Sequence, residues 1–272
     1  MLKIILFYTY LTLLFTTCLV ISIIQGLIYM ILSKINRQLQ LRITYITQEL
    51  IFSQFVVCLD WFCEAPLRLF FPDQKTYDNY GQKPSLVIFN HRYQIDFLFF
   101  ITFVRIFGPI GAIKSFVKYE LIHVPIFGWA FYCGENIFLK RNWQKDEKTI
   151  IKSLKNLDKS IAPVSVFFSP EGTRFTQRKY EAGIDYAKEN NLPIFKHHLL
   201  PRTKDSNDEF NIYNLELIQR QDSADLNWKN FLLCKQFSAD FYVEKIKTEQ
   251  LPEPDADDGK YSEFLYEIFT KK

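Results

Sequence analysis

Residues 4–32 are apolar, broken only by Thr, Ser, Tyr, Gln and Gly, and carry no charge between Lys3 and Lys34. A helix needs about 20 such residues to cross the hydrocarbon of a bilayer, so this stretch predicts a transmembrane helix. It exceeds the roughly 7–15 apolar residues of a signal peptide and lacks a small-residue cleavage site, so it reads as a retained anchor. A second apolar region, residues 50–71, is interrupted by Gln54, Asp60, Glu64 and Arg68. With Trp61, Phe62, Phe70 and Phe71 it reads as an amphipathic helix at the headgroup boundary. A helix covering a soluble core fits the same pattern.

Beyond Gln82 the pattern changes to short apolar runs separated by helical or turn-rich stretches. Residues 85–90, 111–115, 136–140, 165–169, 194–200, 211–219 and 237–246 predict strands. Residues 96–107 predict a helix, and residues 146–159 an amphipathic one with Ile150, Ile151, Leu154 and Leu157 at helical spacing. An acidic, proline-punctuated stretch at 249–258 precedes a final helix over 261–272. This alternation predicts an α/β fold. The expected organisation is an anchor over residues 1–35, an interfacial or second membrane-associated helix region over 36–82, and a catalytic domain over 83–272.

Composition narrows the function. At 272 residues, 48% hydrophobic and 17% aromatic, the chain is too apolar for disorder and long enough for one sizeable core. A net charge of only +3, with no stripe of basic and aromatic residues, excludes nucleic acid as a partner. Lys34, Arg37 and Arg42 follow the apolar span while only Lys3 and the amino terminus precede it, which predicts a cytosolic body. The five cysteines form no C-x-x-C pair and one lies in the span, so neither disulfides nor a structural metal is expected.

Candidate chemistry lies in four ordered stretches: N-H-R-Y-Q-I-D at 90–96, N-I-F-L-K-R at 136–141, S-P-E-G-T-R at 169–174 and L-L-P-R-T-K at 199–204. Five residues apart, His91 and Asp96 would point to different faces of one continuous helix. The spacing therefore places His91 in a turn and Asp96 in the first turn of the following helix, folding back toward it. A carboxylate on one imidazole nitrogen leaves the other free to take a proton from a hydroxyl. Pro170 stops a strand and Gly172 permits a tight turn, which displays Glu171, Thr173 and Arg174 at the strand end. Arginine forks two hydrogen bonds onto phosphate oxygens. Lys140 and Arg141, and Arg202 and Lys204, follow other strands and supply further strand-end cations. His123, His197 and His198 form no such pair and read as structural or surface residues.

On these four stretches, and on I-D-F-L at 95–98, V-P-I-F-G-W at 124–129 and L-P-I-F-K-H-H-L-L-P-R-T-K at 192–204, the chain resembles the lysophospholipid acyltransferase family. Within it, the chain is most similar to the gamma and delta types of 1-acylglycerol-3-phosphate O-acyltransferase. Arg92, Tyr93 and Gln94 differ from the usual insert of those relatives. The resemblance implies a mixed central sheet flanked by helices, of the glycerolphosphate acyltransferase kind, with an N-terminal transmembrane helix. It implies acyl transfer to the free hydroxyl of a lysophospholipid, foremost lysophosphatidic acid to phosphatidic acid, with acyl-CoA as co-substrate and no cofactor. By family role His91 is the base and Asp96 its partner, Arg141, Glu171, Gly172, Thr173 and Arg174 hold the phosphate-bearing acceptor, and Pro201 shapes the donor side. The implied setting is the endoplasmic reticulum membrane with a cytosolic catalytic domain. Open alternatives are another acceptor such as lysophosphatidylinositol or a lysocardiolipin, a transacylase, and a catalytically weak lipid-binding relative.

Overall fold

A computed structural model describes residues 1–140, 142–157, 160–171, 174, 176–189, 211–251 and 258–270. The apolar N-terminus forms one helix, α1 (Leu2–Ile35), whose 34 residues are long and apolar enough to cross a membrane. Asn36 leaves helical geometry at φ −146° and its side chain accepts the Leu39 N–H at 3.0 Å, ending α1 and capping α2 (Arg37–Val57). One stripe of α1, namely Phe7, Leu14, Cys18, Ser22, Gln25 and Gly26, is buried. Ile5, Leu13, Leu19, Ile23, Leu27 and Ile31 face outward and are exposed.

Helix α1 touches the body along nearly its whole length. Lys3 pairs with Glu64 at 2.6 Å, the Phe7 ring meets Phe62 and Phe231, Phe15 meets Phe127, and Tyr29 meets Tyr132. Gly26 lies so close to the Trp129 indole that an added Cβ would sit 1.9 Å from its nitrogen. The helix is thus one wall of the molecule, with an apolar outer face.

Residues 50–71 do not form the single amphipathic helix expected of them. Helix α2 ends at Val57, a π-helical turn follows over Cys58–Phe62, and β1 (Leu67–Phe70) then joins the sheet. Pro66 cannot donate to a helix and disfavours helical geometry at Ala65. Glu64 already sits at φ 44°, so the chain turns out of the helix there. In β1, partly buried Leu67 and Leu69 alternate with exposed Arg68 and Phe70, the period of a half-buried strand. Because β1 belongs to the sheet, the sheet crosses the boundary expected at residue 82.

The remaining elements are α3 (Gln74–Asn79), β2 (Ser85–Phe89), α4 (Asp96–Phe107), β3 (Ile113–Lys118), α5 (Phe127–Cys133), β4 (Ile137–Leu139), α6 (Trp143–Leu157), β5 (Ser165–Phe168), α7 (Gln177–Glu189), β6 (Asn211–Gln219), α8 (Trp228–Leu232), β7 (Ala239–Ile246) and α9 (Asp258–Thr270). Strand order is β1-β7-β6-β2-β5-β3-β4. Among the described residues only the β6 and β7 pairing is antiparallel, so the sheet is mixed, in agreement with the α/β expectation. The expected strand at 111–115 begins later, after a 3-10 turn, and the expected helix at 146–159 begins earlier. The strand expected at 194–200 lies outside the described residues.

Helix α4 is apolar nearly all round and is buried accordingly. Phe100 packs on Phe167 and Phe241, Phe103 on Tyr80 and Phe241, and Phe99 on Phe237. This aromatic layer fixes α4 on the sheet and so fixes the position of its first residue, Asp96.

Candidate active site

Register brings the described parts of three of the four stretches to one edge. Ile88 of β2 lies opposite Phe168 of β5, Ser115 of β3 opposite Phe167, and Lys118 opposite Leu139 of β4. These four strands are parallel, so the segments that follow β2, β5 and β4 all leave at the carboxyl edge of the sheet, where sites in α/β folds form. His91, Glu171 and Lys140 each come within three residues of those strand ends.

The turn after β2 is tightly specified. Asn90 is buried, its side chain donates to the Leu217 carbonyl at 3.3 Å, and its Oδ1 accepts the Leu217 N–H at 3.0 Å. The amide extends the β2 and β6 ladder past the point where the backbone leaves it. The Tyr93 hydroxyl accepts the Gln219 N–H at 3.0 Å, the Gln94 N–H donates to the Leu226 carbonyl at 3.1 Å, and Gln94 Oε1 accepts the Trp228 N–H at 3.2 Å. These five hydrogen bonds tie residues 90–94 to β6 and to the connection carrying α8.

Within this turn His91 Nδ1 and Asp96 Oδ2 lie 2.8 Å apart. Asp96 starts α4, where the helix dipole favours a carboxylate, and the same oxygen accepts the Tyr93 N–H at 3.3 Å. The Asp96 side chain is 2% exposed and the His91 side chain 35%. The carboxylate is thereby sheltered while the imidazole reaches solvent. The Phe89 ring, 6.1 Å from the imidazole, backs it with the aromatic layer under α4. With Nδ1 engaged by Asp96, Nε2 is the nitrogen available to a hydroxyl.

Glu171 is buried directly after β5, behind Pro170. Arg174 is half-buried, and its carbonyl accepts from Lys179 Nζ at 3.3 Å. Arg141, Gly172, Thr173 and Pro201, expected to hold the substrates, lie outside the described residues, as do Arg202, Lys204, His197 and His198. His123 is exposed, in a 3-10 turn, with its ring 6.3 Å from that of Tyr119.

Sequence reasoning passed over Asp146. This buried carboxylate reaches back from the first turns of α6 and accepts the N–H of Lys140 at 2.9 Å and of Asn142 at 3.0 Å. It grips the backbone on both sides of Arg141. Lys140 itself places its ammonium 4.6 Å from the centre of the Tyr119 ring. The signal was present as an acid in the first turn of a predicted helix, but only the fold shows which amides it serves. Among the described residues no group of His, Cys, Asp and Glu could hold a metal ion.

A family model described as Acyltransferase matches residues 72–195. The chain is 35% identical over 263 residues to the human 1-acyl-sn-glycerol-3-phosphate acyltransferase delta, covering 93% of this chain and 68% of that protein. It is 30% identical over 262 residues to the human gamma form, with the same coverage. The crystal structure of the 1-acyl-sn-glycerophosphate (LPA) acyltransferase PlsC from Thermotoga maritima shares the fold, with a TM-score of 0.50 over 99% of this chain and 92% of that one, at 13% identity. The chain therefore belongs to the acyltransferase family that includes the delta and gamma 1-acyl-sn-glycerol-3-phosphate acyltransferases, and is itself an O-acyltransferase.

Proposed function

We propose that the protein transfers an acyl group from acyl-CoA to the free hydroxyl of lysophosphatidic acid, giving phosphatidic acid, with His91 as general base. The observation that carries this reading is the 2.8 Å contact of His91 and Asp96 at the strand edge that also bears Glu171. His91 Nε2 takes the acceptor's proton as its oxygen attacks the thioester carbonyl. The tetrahedral intermediate then collapses, the carbon–sulfur bond breaks, and the imidazolium returns the proton to the departing thiolate. Asp96 holds the ring and stabilises the imidazolium. No acyl-enzyme is required, because the thioester is already activated. Arg174, with Arg141, Glu171, Gly172 and Thr173, holds the acceptor phosphate, and Pro201 borders the donor.

The outer face of α1 supports membrane association, since a row of exposed Ile and Leu along a helix of this length matches hydrocarbon and not water. We assign the catalytic domain to the cytosolic side of the endoplasmic reticulum membrane; the basic residues that follow α1 support the orientation.

The test is an acyl-transfer assay on membranes carrying the expressed chain, with labelled acyl-CoA and a panel of lysophospholipids. His91→Ala should lower turnover by about 10²–10⁴, the range for a lost general base; undiminished transfer would remove that role. Arg174→Ala should raise the acceptor KM roughly 10- to 100-fold, as expected for a lost charge-assisted contact. An unchanged acceptor KM would remove Arg174 from the phosphate site. A preference for another headgroup would reassign the acceptor and leave the chemistry standing.

A further inference from the structure

The connection between β6 and β7 presents apolar side chains to solvent beside the His91 turn. Trp228 is 42% exposed, Leu232 38% and Leu233 43%, although each lies in or next to a helix with a buried side available, the side that Phe231 takes. Phe97, the residue after Asp96, is also exposed, and its ring lies 5.9 Å from Trp228. Beneath the patch, aromatic rings tie this connection to α1 and to the turn after α2. Phe231 meets Phe7 of α1 at 5.4 Å, Phe7 meets Phe62 at 5.2 Å, and Trp61 beside Phe62 is 75% exposed.

Exposed cations flank this patch: Lys229 and Lys235 on the connection and Arg92 in the His91 turn. The acids of the same connection are engaged elsewhere. Asp222 bonds the Ser238 hydroxyl and Arg220, and Asp225 accepts from Gln219. Indole and aliphatic side chains with lysines at their margin are the composition of a segment that rests at a lipid headgroup boundary.

We propose that Trp228, Leu232 and Leu233 insert into the lipid surface next to α1 and set the height of His91 relative to the headgroups. The coupling is the hydrogen-bond set already described: Gln94 accepts the Trp228 N–H and donates to Leu226, and Tyr93 accepts from Gln219. Those two residues lie between His91 and Asp96 in the chain, so the segment that meets lipid and the turn that carries the base move as one piece. The acceptor hydroxyl of a lysolipid lies at headgroup depth, where this arrangement delivers the imidazole. The proposal rests on the lipid acyltransferase reading and adds to it the surface by which the site meets the bilayer.

Two measurements on the purified full chain decide it. With Trp61, Trp129 and Trp143 replaced by Phe, Trp228 is the remaining indole. Vesicles of phosphatidylcholine and phosphatidic acid with brominated acyl chains should quench and blue-shift its emission, and emission unaltered by those vesicles would overturn the proposal. In the second, Leu232→Asp/Leu233→Asp should reduce transfer to lysophosphatidic acid embedded in those vesicles by roughly tenfold or more, from the apolar area no longer transferred. Transfer to a water-soluble short-chain acceptor should stay within about twofold, since neither leucine touches the reacting groups. Equal losses with both acceptors would mark a structural role and overturn the proposal. So would a variant that turns a dimer into a monomer with vesicle turnover intact, which would give the face to a second copy. If the wild type transfers no acyl group to any acceptor, the enzymatic reading fails, while the quenching result still decides the lipid contact.

Discussion

Strand β4 has only three residues, so the sheet alone holds the chain at its end weakly, and the Lys140 and Asn142 amides gripped by Asp146 supply the missing constraint. Asp146→Ala leaves both N–H groups without their acceptor at a cost of about 1–3 kcal/mol each. The expected result is a lower melting temperature together with an acceptor KM raised about fivefold or more and an unchanged acyl-CoA KM. Asp146→Asn, which keeps one acceptor oxygen, should recover part of both. A purely structural residue would lower the amount of active protein without splitting the two KM values. The same logic separates what was legible at this scale. His91 and Asp96 could be read as a pair because a turn followed by a helix start brings such positions together within five residues. Asn90, Tyr93 and Gln94 could not be assigned, since their partners Leu217, Gln219, Leu226 and Trp228 lie more than 120 residues away in sequence.

At the scale of elements, α1 shows what hydropathy cannot say. Its length and apolarity are plain in the chain, but the buried stripe from Phe7 to Gly26 is defined by what packs on it. Gly26 is where that packing is closest, because the Trp129 indole occupies the space a side chain would need. Gly26→Leu should push α5 from α1 and cost about 1–3 kcal/mol, the range for overpacking. Thermal unfolding followed by tryptophan fluorescence would detect it, and an unaltered midpoint would show that α1 is not seated there. A further strain point lies nearby: Ile126, a β-branched residue, is held at φ 68° in a γ-turn closed by the Phe127 N–H on the Pro125 carbonyl at 2.8 Å. The long elements were legible because their periodicity runs over many residues, as in α4, β6 and β7. The helices α3, α5 and α8, of six, seven and five residues, carry too little pattern to stand out. The reading of 50–71 as one helix failed because Pro66 and a left-handed Glu64 outweigh the apolar run.

Taken whole, the molecule joins α2, β3 and the end of α5 through a polar cluster beside the buried Lys114. Lys114 of β3 donates to the Gly134 carbonyl at 2.6 Å, at the end of α5, and Arg37 of α2 pairs with Glu135. Burial pushes the Lys114 ammonium down to about 8, against the attraction of Glu135. An unfolded lysine keeps its proton to about 10.5, so the proton lost on folding favours the folded state progressively as pH rises from about 8 to about 10.5. The buried thiols Cys58, Cys63 and Cys133, pushed up to about 12, act in the opposite sense above pH 9. Lys114→Met leaves the thiols in place, so the stability of wild type relative to this variant should climb by about 3 kcal/mol across that window. Denaturant midpoints at several pH values would check it, and a flat difference would refute the buried charge. The chain by itself determined the α/β class, the apolar first helix, the order of the four stretches and the pairing of His91 with Asp96, because periodicity, turn residues and short-range geometry act locally. Tertiary structure alone decided the strand order that brings the described parts of the first three stretches to one edge, the seating of α1 along the body, the grip of Asp146 on the Lys140 and Asn142 amides, and the link from the His91 turn to α8. Each of these depends on contacts between residues distant in sequence, which no local pattern encodes.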